Sequence, residues 1–258
     1  MNEIILPSVP STNTWAAANA AGLPSPSMVC ALCQPEGRGQ RGNSWESEPG
    51  QNLTLSFFVR PDRGFAPREQ FLMSEATALA VVDTLRHFGI ESKVKWPNDI
   101  YCGDMKICGI LIEHSLMGSS IIHSIAGIGL NVNQTLFLSD APNPISMAMV
   151  AGRSFNPAEV RRVLAERWWS RMAPFASLPE SRDDLQAGSG GTPWKESLHT
   201  EFLDSLWRND GEPHLFMETS SQKHFEAIIA DVDPAGPILL RLSDGSTRSF
   251  AFKEISWL

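Results

Sequence analysis

Gln34-Pro35-Glu36-Gly37-Arg38-Gly39-Gln40-Arg41-Gly42-Asn43-Ser44-Trp45 separates two apolar runs, Met28 to Cys33 before it and Leu53 to Val59 after it. Both runs read as strands, so the glycine-rich stretch is a loop from one strand to the next. Glycines 37, 39 and 42 let the backbone bring N–H groups close to a ligand without interference from Cβ. Arg38 and Arg41 add planar cationic forks suited to carboxylate or phosphate, and Trp45 adds an aromatic wall. A cationic loop of this kind is a suitable cover for an anionic small molecule. A solvated surface turn has the same composition, so the rest of the chain must decide between the two.

The 258 residues suffice for one full-sized domain and a small one. With 42% hydrophobic and 19% charged residues, the composition is that of an ordinary globular protein. A net charge of -8 argues against broad contact with a nucleic-acid backbone, which needs a basic face. No apolar run is long enough for a bilayer, and Met1-Asn2-Glu3 lacks the layout of a secretory signal. These features place the chain in the cytoplasm. Cys30 and Cys33 form a C-x-x-C, but on a strand they face opposite sides, which is poor geometry for a shared metal. The four cysteines read as reduced thiols.

Strand and helix signals alternate over the first 132 residues. Ile4 to Leu6 reads as a strand, and Ser11-Thr12-Asn13 stands before an alanine-rich helix, Trp15 to Ala20. Pro67 to Phe88 has helical spacing of apolar residues. Val94 to Trp96, Ile107 to Glu113 and Ile121 to Val132 then read as strands, which together predict a mixed sheet with helices packed on it. Asn156-Pro157-x-Glu159 opens a further helix. Gln186 to Pro193 reads as a flexible loop, and Trp194 to Arg208 as the last helix. In the tail, Phe225 to Asp231, Ile238 to Leu242 and Ser246 to Ile255 read as strands, with turns at Asp233 to Gly236 and at Asp244-Gly245. They predict a small β-barrel leaning on the main domain.

Three more segments bear on chemistry. Lys95-Trp96-Pro97-Asn98-Asp99 ends a strand in a turn that exposes a cation, an amide and a carboxylate. Lys106 starts the otherwise apolar strand Ile107-Cys108-Gly109-Ile110-Leu111, where snorkelling to solvent is the simplest role for a lysine. Gly127-Ile128-Gly129-Leu130-Asn131 is a weak dinucleotide fingerprint, because an asparagine replaces the third glycine and no helix follows.

In this order the segments resemble the biotin protein ligases. Ser11-Thr12-Asn13, Gln34-x-x-Gly37-Arg38-Gly39, Trp45, Lys95 to Asp99, Lys106-x-x-Gly109-Ile110-Leu111 and Gly127-x-Gly129-x-Asn131 carry the likeness. The tail, with Phe252-Lys253-Glu254-Ile255-Ser256, is similar to that family's C-terminal SH3-like domain. The resemblance implies an α/β (α+β) fold: a mixed-sheet, class II synthetase-like catalytic domain over 1–210 and an SH3-like β-barrel over 211–258. It also implies the short form of the family, without an N-terminal DNA-binding domain.

The implied reaction has two steps: biotin and ATP give biotinyl-5'-AMP, and the biotinyl group then passes to a lysine of a biotin carboxyl carrier protein domain. By the same resemblance Lys106 and Arg38 are catalytic, neutralising carboxylate and phosphate with help from Mg2+. Ser11, Thr12, Asn13, Gln34, Gly37, Arg38, Gly109, Leu111, Gly127 and Gly129 bind biotin, the glycines leaving a narrow apolar slot. Gln40, Arg41, Trp45, Lys95, Asn98, Lys106 and Asn131 bind ATP or the adenylate. Asp99 is the one magnesium candidate; the other ligands are unknown. The family's usual loop has arginines where this chain has Gln40 and Asn43. A homodimer is a possible assembly. The rival readings are a lipoate-protein ligase of the same fold and a non-catalytic biotin sensor.

Overall fold

The computed structural model describes residues 1–39, 44–61, 66–139, 142–176 and 193–258. Seven strands form the main sheet: β1 (Asn2–Leu6), β2 (Ser27–Ala31), β3 (Leu53–Val59), β4 (Lys93–Lys95), β5 (Asp99–Cys102), β6 (Met105–Met117) and β7 (Ser120–Leu130). Their order is β1-β2-β3-β7-β6-β5-β4, with β1 parallel to β2 and every other pair antiparallel.

Strand alternation sends side chains to two separate cores. Val29, Phe58 and Ile125 pack with Ala16 of the short helix α1 (Thr12–Ala18) on one face. Met28, Cys30, Leu55 and Phe57 enter the larger core on the other face, against α2 (Phe71–His87) and α4 (Pro157–Ala176). Phe57 stacks on Trp168 of α4 at 4.2 Å, and the Trp168 Nε1–H donates to Thr77 of α2 at 3.2 Å. Helix α2 is buried around most of its circumference, which hides the one-sided pattern of a surface helix. Between α2 and α4 in the chain lies the one-turn helix α3 (Met147–Ala151), and α5 (Pro193–Asp204) follows α4.

A second, antiparallel sheet is built from β8 (His214–Glu218), β9 (Lys223–Val232), β10 (Ile238–Leu242), β11 (Thr247–Phe250) and β12 (Ile255–Trp257), in the order β11-β10-β9-β8-β12. Its inner residues Phe216, Ile229, Leu240 and Phe250 join the same core as the main sheet. The seam is also polar. Trp96 Nε1–H donates to Gly236 O at 3.0 Å, and the Phe71 N–H donates to Pro234 O at 3.1 Å. His199 of α5 bridges buried Glu75 of α2 (2.8 Å) and Asp231 of β9 (2.7 Å). No helix among the described residues is long and apolar enough to cross a membrane.

Several boundaries differ from the sequence reading. Helix α1 starts at Thr12, not Trp15, because Ser11 itself is the N-cap, its Oγ accepting from the Thr14 N–H at 3.4 Å. The last helix ends at Asp204, not Arg208, since the next residues bond to β4: Val94 N–H to Ser205 O and Trp207 N–H to Val94 O, both 2.8 Å. Strands β5 and β8 and helix α3 were not expected; at four or five residues each they are too short to show a period. The run from Ser246 to Ile255 is not one strand: it breaks at Lys253 (φ 69°), and β12 then pairs with β8. The loop expected from Gln186 lies outside the described residues up to Pro193, where α5 begins.

Candidate active site

A cavity of about 910 Å³ opens over the C-terminal half of β7 and the N-terminal half of β6, with Trp257 of β12 and Lys253 of the turn before it on one wall. Its floor is set by register. Gly129 of β7 sits directly between Thr54 of β3 and Gly109 of β6, and Gly109 faces Asp99 of β5. One step along, Gly127 lies between Ser56 and Leu111. A Cβ on Gly129 would come within 2.3 Å of the Trp45 indole, and one on Gly127 within 2.3 Å of Asn13 Oδ1. Glycine is required at both positions because side chains from other elements lie directly on the sheet there. Trp45 lies over Gly129 and Gly109, and Asn13 over Gly127, so the glycines make room for these side chains.

The first turn of α1 organises one end of the cavity. Gln34 Oε1 accepts from the Thr12 N–H (2.9 Å) and from Thr12 Oγ1 (3.1 Å). Ser56 Oγ is 2.7 Å from Thr12 Oγ1 and 2.6 Å from Asn13 Oδ1. Asn13 Nδ2 donates to Glu113 Oε2 at 2.8 Å and to Leu111 O at 3.2 Å. Glu113 also takes the Arg38 guanidinium, 2.9 Å from Oε2 and 3.1 Å from Oε1. A continuous polar chain thus runs from Gln34 through Thr12, Ser56, Asn13 and Glu113 to Arg38. Ser11, Thr12 and Asn13 are each at most 5% exposed, so these groups are fixed before any ligand arrives.

At the other end Lys106 Nζ lies 2.7 Å from Asp99 Oδ1 and 5.8 Å from the Trp45 ring centre. Lys95 is caged by aromatic rings. Its Nζ donates to the Tyr101 hydroxyl at 3.2 Å and lies 4.6 and 4.9 Å from the Tyr101 and Trp207 ring centres. Burial, opposed by Asp99 and aided by nearby Arg208, lowers the Lys95 pKa below the ordinary lysine value. Burial and the Asp99 carboxylate push the Tyr101 hydroxyl up to about 12. Asn98 Nδ2 donates to Ile110 O at 2.5 Å, which ties the strand end to β6. Asn131 Nδ2 donates to Ile145 O at 3.0 Å, while its Oδ1 and the Trp45 Nε1 are buried without partners among the described residues. Both residues line the cavity, although these two atoms are themselves buried.

The structure brings together Ser11, Thr12, Asn13, Gln34, Arg38, Trp45, Lys95, Asn98, Lys106, Gly109, Leu111, Gly127, Gly129 and Asn131 around one cavity. Gly37 is buried beside it, its carbonyl accepting from the Trp45 N–H at 2.8 Å. Gln40, Arg41 and Asn43 lie outside the described residues; the flanking Arg38 and Ser44 form an antiparallel bridge. Glu113 and Lys253 were missed by the sequence reading. Glu113 is two residues past Leu111 on the same strand face, and that spacing was the available signal. Lys253 reaches the cavity only through the pairing of β12 with β8. Among the described residues no cluster of three or more His, Cys, Asp or Glu could hold a metal ion.

Comparison with known proteins bears on the family and the fold. The profile of the Biotin/lipoate A/B protein ligase family matches residues 5–131. The biotin–[acetyl-CoA-carboxylase] ligase of Paracoccus denitrificans is 30% identical over 247 residues, covering 90% of each chain. The bifunctional ligase/repressor BirA of Escherichia coli (strain K12) is 35% identical over 129 residues, 50% of this chain and 40% of that one. For BirA proteins of Escherichia coli, Salmonella typhimurium and Bacillus subtilis, the match covers 40%, 41% and 63% of their length. A biotin protein ligase of Aquifex aeolicus, solved with biotin and ATP, superposes with a TM-score of 0.75 at 21% identity, over 99% of this chain and 97% of that one. With the Paracoccus identity running through nine-tenths of both proteins, the chain belongs to the biotin/lipoate protein ligase family, among its biotin protein ligases.

Proposed function

We propose that this protein activates biotin with ATP and transfers it to a lysine of a carrier protein. The observation that carries the reading is the pair of cations facing one cavity, Arg38 and Lys106, each held by a part-exposed carboxylate. Two anions must meet in the first step, and each needs a positive partner as charge builds. A biotin carboxylate oxygen attacks the α-phosphorus, and the bond to the β-phosphate oxygen breaks, releasing pyrophosphate. Arg38 exchanges Glu113 for the biotin carboxylate, and Lys106 exchanges Asp99 for the α-phosphate. Thr12 and Gln34, already hydrogen-bonded to each other, read the polar head of biotin. Asn131 and Trp45, which line the cavity beside Lys106, address the adenylate.

In the second step the carrier lysine amine attacks the acyl carbon, loses a proton and expels AMP. Magnesium enters this scheme with the substrate, as MgATP, and Asp99, freed when Lys106 turns to the α-phosphate, is the candidate protein ligand. We divide the chain into a catalytic unit, 1–210, and a C-terminal unit, 211–258, which supplies Lys253 and Trp257 to the cavity wall. Four free cysteines, three of them buried, fit a reducing cytoplasm. The net charge of -8 favours a protein partner over nucleic acid; a homodimer rests on the resemblance alone. The test is pyrophosphate release with biotin and, separately, with lipoate, followed by labelling of a biotin carrier domain. Release with lipoate alone would move the protein to the other half of its family, and release with neither would reject catalysis.

A further inference from the structure

Next to Trp45, the Glu46 carboxylate reaches a segment some ninety residues away. Its Oε1 accepts from the Leu138 N–H at 2.9 Å and from Gln134 Nε2 at 3.0 Å, and its Oε2 accepts from the Ser139 N–H at 2.7 Å. Gln134, 1% exposed, is itself fully engaged. Its Oε1 accepts from Asn52 Nδ2 (2.6 Å) and the Glu48 N–H (2.9 Å), and its Nε2 also donates to Leu136 O (2.9 Å). Asn52 closes the network by accepting from the Val132 N–H at 2.9 Å. The far end of segment 134–139 has little apolar anchorage: Leu136 is 61% exposed and Leu138 80%, with Phe137 half-buried between them. Hydrogen bonds to a charged acceptor are the stronger class, so the carboxylate is the main restraint on Leu138 and Ser139.

We propose that Glu46 is a positioning residue for the adenylation step. It bolts the exit of the glycine-rich loop to segment 134–139, and so fixes Trp45 and Leu138–Ser139 across the nucleotide side of the cavity that both line. This rests on the adenylating function proposed above. Without the bolt the segment costs ordering entropy each time nucleotide binds, and that cost falls on ATP rather than on biotin.

Two measurements on Glu46→Ala test the proposal. In the ligand-free protein, hydrogen exchange at the Leu138 and Ser139 amides should quicken by roughly tenfold or more, the expected result of losing charge-assisted bonds. In steady state, KM for ATP should rise about tenfold, while biotin affinity measured without nucleotide changes less than about twofold. Glu46→Gln, which keeps the shape and one acceptor, should recover part of both effects. Unchanged amide exchange would overturn the bolt. Faster exchange with an unchanged KM for ATP, or equal losses for ATP and biotin with a lower melting temperature, would overturn its role in positioning nucleotide. Absence of pyrophosphate release by the unsubstituted protein would instead reject the adenylating function, and the exchange data would still decide whether the bolt exists.

Discussion

Charge pairs in two regions of this molecule have the same chemistry and opposite uses. At the cavity, Arg38–Glu113 and Lys106–Asp99 are partly open to solvent, the first with side chains 46% and 41% exposed. At the seam between the sheets, His199 holds Glu75, which is wholly buried, and reaches on to Asp231. A part-exposed pair is worth at most about 1 kcal/mol, so an arriving anion can replace one partner at little cost. Removing one member of a buried pair strands a charge and costs several times more. Burial of Glu75, and not the identity of the ions, separates the exchangeable cavity pairs from the pair that joins α2 to α5 beneath the second sheet.

The largest effect should come from the seam. His199→Ala leaves the Glu75 carboxyl without its partner and should lower unfolding stability by about 3–5 kcal/mol. Denaturant titration of the whole chain measures this; a loss under about 1 kcal/mol would place the seam pair in the same class as the cavity pairs. Next in size is Lys106→Ala, which should slow pyrophosphate release by a factor on the order of 10²–10³ while leaving the melting temperature nearly unchanged. A snorkelling lysine would leave release near normal, and that result would remove Lys106 from the mechanism.

A third effect separates the two regions by pH. The bond to Glu75 raises the His199 pKa from 6.5 to about 9, burial opposing and Asp231 assisting. The protonated imidazole is thus favoured in the folded state, so its stabilisation is complete below the unfolded value of 6.5 and is lost as pH rises through 9. Burial also raises the Glu75 pKa, with the His199 bonds opposing, so the stabilisation of that carboxyl is present below its unfolded value of 4.5 and falls as pH rises above it. The melting temperature should therefore fall from pH 6.5 to pH 9.5, and His199→Gln should flatten that slope. The smallest effect belongs to Arg162 and Glu166 on α4, whose side chains are 59% and 61% exposed. Arg162→Ala should change stability by less than about 0.5 kcal/mol; a larger loss would contradict the ranking by burial.

The same distinction explains what could be read from the chain. Arg38, Lys106 and the cavity glycines were visible because their types and spacing are local. Strand β3 and helix α4 announced themselves by an apolar run and by the Asn156-Pro157 start. Asp99, the partner of Lys106, stood among the residues singled out, but the other partners did not. Glu113 meets Arg38 across 75 positions and His199 meets Glu75 across 124; strand spacing from Leu111 gives the face of Glu113 but not its contact. Short elements failed for another reason: β5 and β8 take their identity from the strands beside them, not from their own four or five residues.

The contact of the Trp45 indole with Gly129 and Gly109 limits how the cavity can be redesigned. A methyl group at position 129 would overlap the ring at 2.3 Å, so Gly129→Ala alone forces the indole off the sheet. The mirror change, a smaller residue at position 45, opens a hollow above two glycines. Made together, the two substitutions trade one volume for the other and shift the empty space sideways, away from β7. Positions 45 and 129 thus form a lock and spacer, and a cavity reshaped for a bulkier acid must be edited at both in one step.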